Sequence, residues 1–221
     1  MLVTAARSVR QGNMVKNSSG EFDRLLIAAR GCSLCASQLA HGVRPVLQAA
    51  TTSRILIAGQ APGARVHASG VPFDDASGDR LRDWMGVDRS TFYDATRVAI
   101  LPMGFCFPGA VKGKGDLPPI PLCAETWRDQ ILSAMREIRL TLVIGQYAQA
   151  WHLGDVVGTN LTETVRQWQD YGNALIPMPH PSPRNNIWLK RNPWFEVELV
   201  PELRRRVALA LQSPKVSDGS Q

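Results

Sequence analysis

Three groups of residues in this 221-residue chain have types and spacing suited to chemistry. In His180-Pro181-Ser182-Pro183-Arg184-Asn185, two prolines bias the residues before them toward extended backbone, which holds the imidazole in one direction. An imidazole so fixed is able to donate or accept a hydrogen bond near neutral pH. Gly59-Gln60-Ala61-Pro62-Gly63 joins a proline that fixes a turn to two glycines that permit positive φ and close backbone approach. Such a loop aims backbone N–H groups into a pocket. All four cysteines fall into a third group, with Cys32 and Cys35 at Cys-x2-Cys spacing, then Cys106 and Cys123. Four soft sulfurs suit zinc or an iron–sulfur cluster, and a cytosolic setting argues against two disulfides. The pair precedes the first predicted strand instead of following one, which is the wrong context for a thioredoxin-like redox motif.

The elements that must position these groups are legible as alternating patterns. Apolar runs bounded by turn residues predict strands at Arg54–Ala58, Arg97–Leu101, Leu140–Ile144 and Ala174–Met178. Helical patterns lie at Gly78–Met85, Cys123–Arg139, Gln146–Leu153 and Pro201–Leu211. The alternation implies an α/β fold, a three-layer α/β/α sandwich around a short, mainly parallel four-stranded sheet. In such sheets ligands bind beyond the carboxyl ends of the strands. Both unusual loops follow strands, so one pocket can use both. Phe107–Pro121, rich in Gly, Pro and Lys, is expected to be loop.

Composition bounds the rest. With 44% hydrophobic and 20% charged residues, the chain is read as one domain over 21–212, with mobile tails at 1–20 and 213–221. No stretch is apolar and long enough to cross a bilayer, and the first residues lack the apolar core of a signal peptide, so a cytoplasmic protein without a membrane role is expected. A net charge of +6 favours a polyanionic partner. Lys112, Lys114, Lys190 and Arg191, near the predicted pocket loops, are candidates for phosphate contacts, or solvated surface charges.

On the two loops the chain resembles the uracil-DNA glycosylase superfamily, over roughly Gly31 to Leu211. Gly59 to Gly63 with Gly70-Val71-Pro72-Phe73 is similar to the iron–sulfur-containing family 4, whereas His180 to Asn185 is similar to the single-strand-selective monofunctional branch. The resemblance implies a monofunctional enzyme that flips uracil out of single- or double-stranded DNA and hydrolyses its N-glycosidic bond, acting as a monomer. Gly59, Ala61, Pro62, Gly63, Ser182 and Asn185 would line the site. His180 would donate to the uracil O2, where negative charge develops as the base departs. Phe73 would stack on the base. Arg184 would either wedge into the base stack or bind phosphate. The four cysteines would hold a [4Fe–4S] cluster, with structural zinc as the alternative.

Two positions depart from the pattern. Many members place a water-activating Asp or Asn where this chain has Ala61, and family 4 carries an asparagine where this chain has Pro102. Gln60, His67, Asp74 and Asp75 are candidates for the missing water activator, with Gln60 and Asp75 ranked first. Base reading would fall to backbone groups of Leu101–Phe105 or to Asn185 or Asn186. These departures leave two further readings open: a protein that binds uracil-DNA with little turnover, and an α/β nucleoside binder without a DNA role.

Overall fold

In a parallel sheet with both faces covered, strands read as nearly continuous apolar runs, and the central runs do so with Thr141 as the exception. The computed structural model describes residues 20–113 and 115–212. The expected tails lie outside the described residues except for Gly20, which opens the first helix, α1 (residues 20–30); Lys114 lies outside them as well. Strands β1 (Ile55–Ala58), β2 (Val98–Ile100), β5 (Leu140–Ile144) and β6 (Leu175–Met178) form one sheet in the order β2-β1-β5-β6, with every pairing parallel. The chain runs from β1 outward to β2, then returns to β5 on the other side of β1. Connections therefore diverge between β1 and β5, which is where open α/β sheets make crevices.

Alternate strand residues point to opposite faces, and the core divides accordingly. Ile55, Ile57, Val98, Ile100, Leu140, Leu142 and Ile144 enter one cluster with Leu81 and Trp84 of α3 (Ala76–Met85) and Leu203 and Val207 of α9 (Val200–Leu211). Leu56, Ala99 and Leu101 face the other way, onto Phe22 and Leu26 of α1 and Ile131 of α5 (Pro121–Ala134). The result is the expected three-layer α/β/α sandwich.

The structure corrects the expected boundaries in two places. The helix expected over Cys123–Arg139 starts at Pro121 and stops at Ala134, because buried Met135 leaves helical geometry and the chain turns there to enter β5. Phe107–Pro121 contains a small antiparallel hairpin, β3 (Ala110–Val111) with β4 (Gly115–Asp116), before α5 begins. Short helices at Ala64–Ser69 (α2), Arg89–Phe92 (α4), Leu161–Arg166 (α7) and Asn186–Arg191 (α8) add to those expected; α6 spans Gln146–Leu153 as expected.

Candidate functional site

The two loops meet at the carboxyl end of the sheet. After β1, the carbonyls of Gly59 and Gln60 accept from the backbone N–H of Met103 and Gly104, which zips the loop to the chain leaving β2. Neither Gly59 nor Gly63 takes a positive φ, contrary to expectation. A Cβ at either position would meet its neighbours in ordinary van der Waals contact. A Cβ on Gly59 would sit 3.8 Å from the tip of the Phe73 ring, and one on Gly63 would sit 3.5 Å from a carboxylate oxygen of Asp116.

Phe73 itself carries the strain, with φ at 54°. That region is unfavourable for a residue with a Cβ, and neighbours hold it there. The Tyr93 hydroxyl donates toward the carbonyls of Pro72 and Phe73 at 3.0 and 3.2 Å, and the Phe73 ring packs edge-on against Phe92. Asp75 then caps α3, one of its oxygens accepting from the N–H of Ser77 and of Gly78 at 2.9 and 3.0 Å. Such a cap is worth about 1 kcal/mol.

The loop after β6 is braced from within and from α3. Asn185 donates its side-chain amide to the carbonyl of His180 at 2.7 Å, which gives it the role of orienting the loop. Arg80 donates to the carbonyl of Ser182 at 3.2 Å and to the Asn186 side chain at 2.8 Å. The Ser182 hydroxyl accepts from the Arg184 N–H, and the Ser182 N–H donates to Nδ1 of His180 at 3.2 Å. With Nδ1 accepting, the neutral ring carries its proton on Nε2. Burial, the largest influence, lowers the His180 pKa; the Asp75 and Asp116 carboxylates act in the opposite direction, and Arg184 reinforces the lowering. His180 is thus a partly buried ring that favours its neutral form, with the proton on Nε2.

The other residues suggested for activating water have partners. Gln60 donates its amide N–H to the carbonyl of Leu117 at 2.8 Å, closing the hairpin over the first loop. Asp74 pairs with Arg89 at 2.9 Å. His67 turns toward the carbonyl of His41 and the Phe107 ring. Backbone groups of Leu101–Phe105 are also largely engaged. The carbonyls of Leu101 and Pro102 accept from Arg128 at 2.7 and 3.2 Å, and the Phe105 N–H donates to the Cys123 sulfur. This leaves the Met103 and Gly104 carbonyls as groups in that segment with no bonded partner among the described residues.

Sequence reasoning passed over three residues that build the site. Arg80 braces the His180 loop, and Arg128, fully buried, fixes the end of β2. Asp116 reaches both Gly63 and Arg184, whose guanidinium lies 3.9 Å away. A lone acidic residue in a loop otherwise rich in Lys and Gly was the available signal for Asp116; nothing local distinguishes the two arginines. Arg184 is exposed, as are Lys112, Lys190 and Arg191.

The four cysteines line a single cavity, with Leu34, Val43, Ile120 and Trp127 among its walls. Cys32 and Cys35 follow α1, Cys106 follows β2, and Cys123 sits in the first turn of α5. Burial pushes the Cys123 thiol up to about 12 and raises Cys35 and Cys106, with neighbouring thiols adding to each effect. Thiols in that state are poor nucleophiles, whereas a cation would hold them as thiolates. Among the described residues, no group of three or more His, Cys, Asp or Glu side chains is arranged around a single metal ion. Four thiols on one cavity wall are a soft donor set. The buried Nε1–H of Trp127, a residue of the cavity wall, has no hydrogen-bond partner among the described residues. No described helix is long and apolar enough to cross a membrane.

Strand-end loops, a partly buried histidine and an aromatic ring beside Gly59 thus lie at one end of the sheet. The model of the Uracil DNA glycosylase superfamily matches residues 47–204, well over half of the chain and including both loops, and the chain belongs to that superfamily.

Proposed function

We propose that this chain is a monofunctional glycosylase that flips uracil from DNA and hydrolyses its N-glycosidic bond. The observation that carries the reading is the His180 tautomer: Nδ1 accepts from Ser182, so Nε2–H is left to donate to uracil O2. Breaking the bond leaves negative charge on the base, and a fixed donor aimed at it is worth about 3 kcal/mol. Phe73 supplies the stacking face, and the Gly59–Gly63 loop, with Gln60 and Asp75 holding its surroundings, forms the wall beside it. Arg184, exposed at the lip, fills the space left in the base stack or grips phosphate. Single- and double-stranded DNA are both candidate substrates, and the protein acts as a monomer.

The cysteine-lined cavity would hold a [4Fe–4S] cluster on Cys32, Cys35, Cys106 and Cys123, with structural zinc as the alternative. When bound, the group pins α1, the chain after β2 and α5 together; it takes no part in bond breaking.

Ala61 and Pro102 favour one second reading, a uracil-DNA binder with little turnover. Neither side chain is able to hold water or read a base edge. Anaerobically purified protein incubated with single- and double-stranded uracil oligonucleotides separates the readings. Free uracil and alkali-labile strands support the glycosylase; a stable complex without cleavage supports the binder. If neither appears and His180→Ala leaves DNA binding unchanged, both are overturned.

A further inference from the structure

We propose that Asp116, in the hairpin that folds over the first loop, is the catalytic carboxylate that positions and deprotonates the attacking water. This rests on the glycosylase reading and supplies the group that Ala61 lacks.

Three observations put Asp116 between the two loops. One carboxylate oxygen lies 3.5 Å from where a Gly63 Cβ would be, so it rests directly on the first loop. The other lies 3.9 Å from the Arg184 guanidinium of the second loop, too long for a hydrogen bond. The same carboxylate acts electrostatically on His180, as does Asp75. Asp116 therefore spans the two loops between which the flipped nucleotide would enter.

Asp75, the other carboxylate near His180, has one oxygen committed to two backbone donors at the start of α3, which suits a structural cap. Among the described residues the Asp116 carboxylate accepts no hydrogen bond and has only the long contact with Arg184. Its side chain is 38% exposed, so water reaches it, and its exposed pairing with Arg184 is of the kind that exchanges readily. When Arg184 moves onto DNA, its pairing with Asp116 is exchanged for the nucleic acid and the carboxylate faces the sugar. The Gln60 contact with Leu117 holds the hairpin in register beside the loop.

The step balances without a further reactant. The bond between the sugar C1′ and uracil N1 breaks, and its electron pair leaves on the base, stabilised by His180. The water oxygen bonds to C1′ while its proton passes to Asp116. Asp116 returns that proton to the departing uracil anion or to solvent, giving free base and an abasic sugar. No lysine or covalent enzyme intermediate is involved.

The test is single-turnover excision from a saturating uracil oligonucleotide by wild type, Asp116→Ala and Asp116→Asn, with thermal midpoints and abasic-DNA affinity as checks on folding. Asp116→Ala is expected to lower the excision rate by roughly 100-fold or more, the scale of general-base catalysis, while abasic-DNA affinity stays within about threefold, because the carboxylate repels phosphate if anything. Added formate is expected to restore at least tenfold of the loss in Asp116→Ala, since a small carboxylate fits the vacated space; Arg184→Ala, which breaks the same ion pair, shows no formate response. An Asp116→Ala rate within threefold of wild type overturns the assignment, as does a slow rate that formate leaves unchanged. Wild-type protein that binds uracil-DNA without excising it overturns the glycosylase reading and this inference together, whereas excision that persists in both Asp116 variants overturns this inference alone.

Discussion

The backbone N–H of Ser182 donates to Nδ1 of His180 across 3.2 Å, and that one bond decides which nitrogen of the neutral ring carries the proton. Pro183 bars helix at Ser182 by crowding the residue before it, so the donor is held in place. Replacing His180 with Ala is expected to lower single-turnover uracil excision by about 100-fold, the scale of losing one preorganised donor. Because burial lowers the His180 pKa, the neutral donor persists to more acidic pH than an ordinary histidine allows. Excision should accordingly not rise on acidification from pH about 8 to about 6. A tenfold increase over that range would mean that the imidazolium is the active form and would remove this role for the neutral ring.

A second pair sits behind the site. Arg128 is fully buried, and its guanidinium meets Nε2 of His152 at 2.6 Å while its other amino group holds the end of β2. Burial drops Arg128 to about 10, so it stays charged near neutrality, and His152 must accept its hydrogen bond as a neutral ring. Burial, then the guanidinium, push His152 down to about 4 from an ordinary 6.5. The folded value lies below the unfolded one, so on acidification the unfolded chain takes up the proton first. Stability present above pH 6.5 is lost progressively as pH falls toward 4, by about 3 kcal/mol in all. Thermal midpoints of wild type should fall between pH about 7 and about 4.5, and His152→Gln, which still offers an acceptor, should fall less. Parallel curves would show that His152 does not titrate with folding.

Both pairs bear on what the sequence reveals. The strands were legible because Ile55-Leu56-Ile57-Ala58 and its partners are apolar on both faces, a condition that only a covered parallel sheet imposes. His180 was legible because its prolines act on neighbours in the chain. Arg128 was not, since an arginine in a helix ordinarily reads as a solvent-facing charge, and its burial depends on carbonyls from another element. The β3–β4 hairpin escaped notice because two-residue strands in a Gly- and Lys-rich stretch carry no apolar period. Asp116 followed it into obscurity, its meaning coming only from Gly63 and Arg184, both distant in the chain.

The cysteine cavity makes a prediction independent of catalysis. If the four thiols hold an iron–sulfur cluster, anaerobically purified protein will be brown and contain iron and labile sulfide, and Cys106→Ser will lose both. Its thermal midpoint should drop as well, since α1, the segment after β2 and α5 meet at this point. Colourless protein containing stoichiometric zinc would decide for the smaller ion. Protein of full stability with neither would remove a cofactor from the account.

The tightest approach in the pocket wall lies between Gly78 and Phe73. A Cβ on Gly78 would come within 1.8 Å of the Phe73 carbonyl oxygen and 2.7 Å of its carbon, so backbone must move to admit it. Phe73 is already held at a φ of 54° by the Tyr93 hydroxyl, and the helix cap on Asp75 also uses the Gly78 N–H. Gly78→Ala should therefore do two things at once: destabilise the fold by about 1–3 kcal/mol, as overpacking does, and swing the Phe73 ring off Gly59. Phe73→Leu separates the two effects. It keeps the backbone and most of the packing, so its midpoint should change little, while lost stacking weakens binding of the flipped base by about 1–3 kcal/mol. KM for uracil-DNA and thermal midpoint, measured on both variants, check the assignment. If Gly78→Ala alters stability alone and Phe73→Leu leaves KM unchanged, the ring at Gly59 is core and not the stacking face.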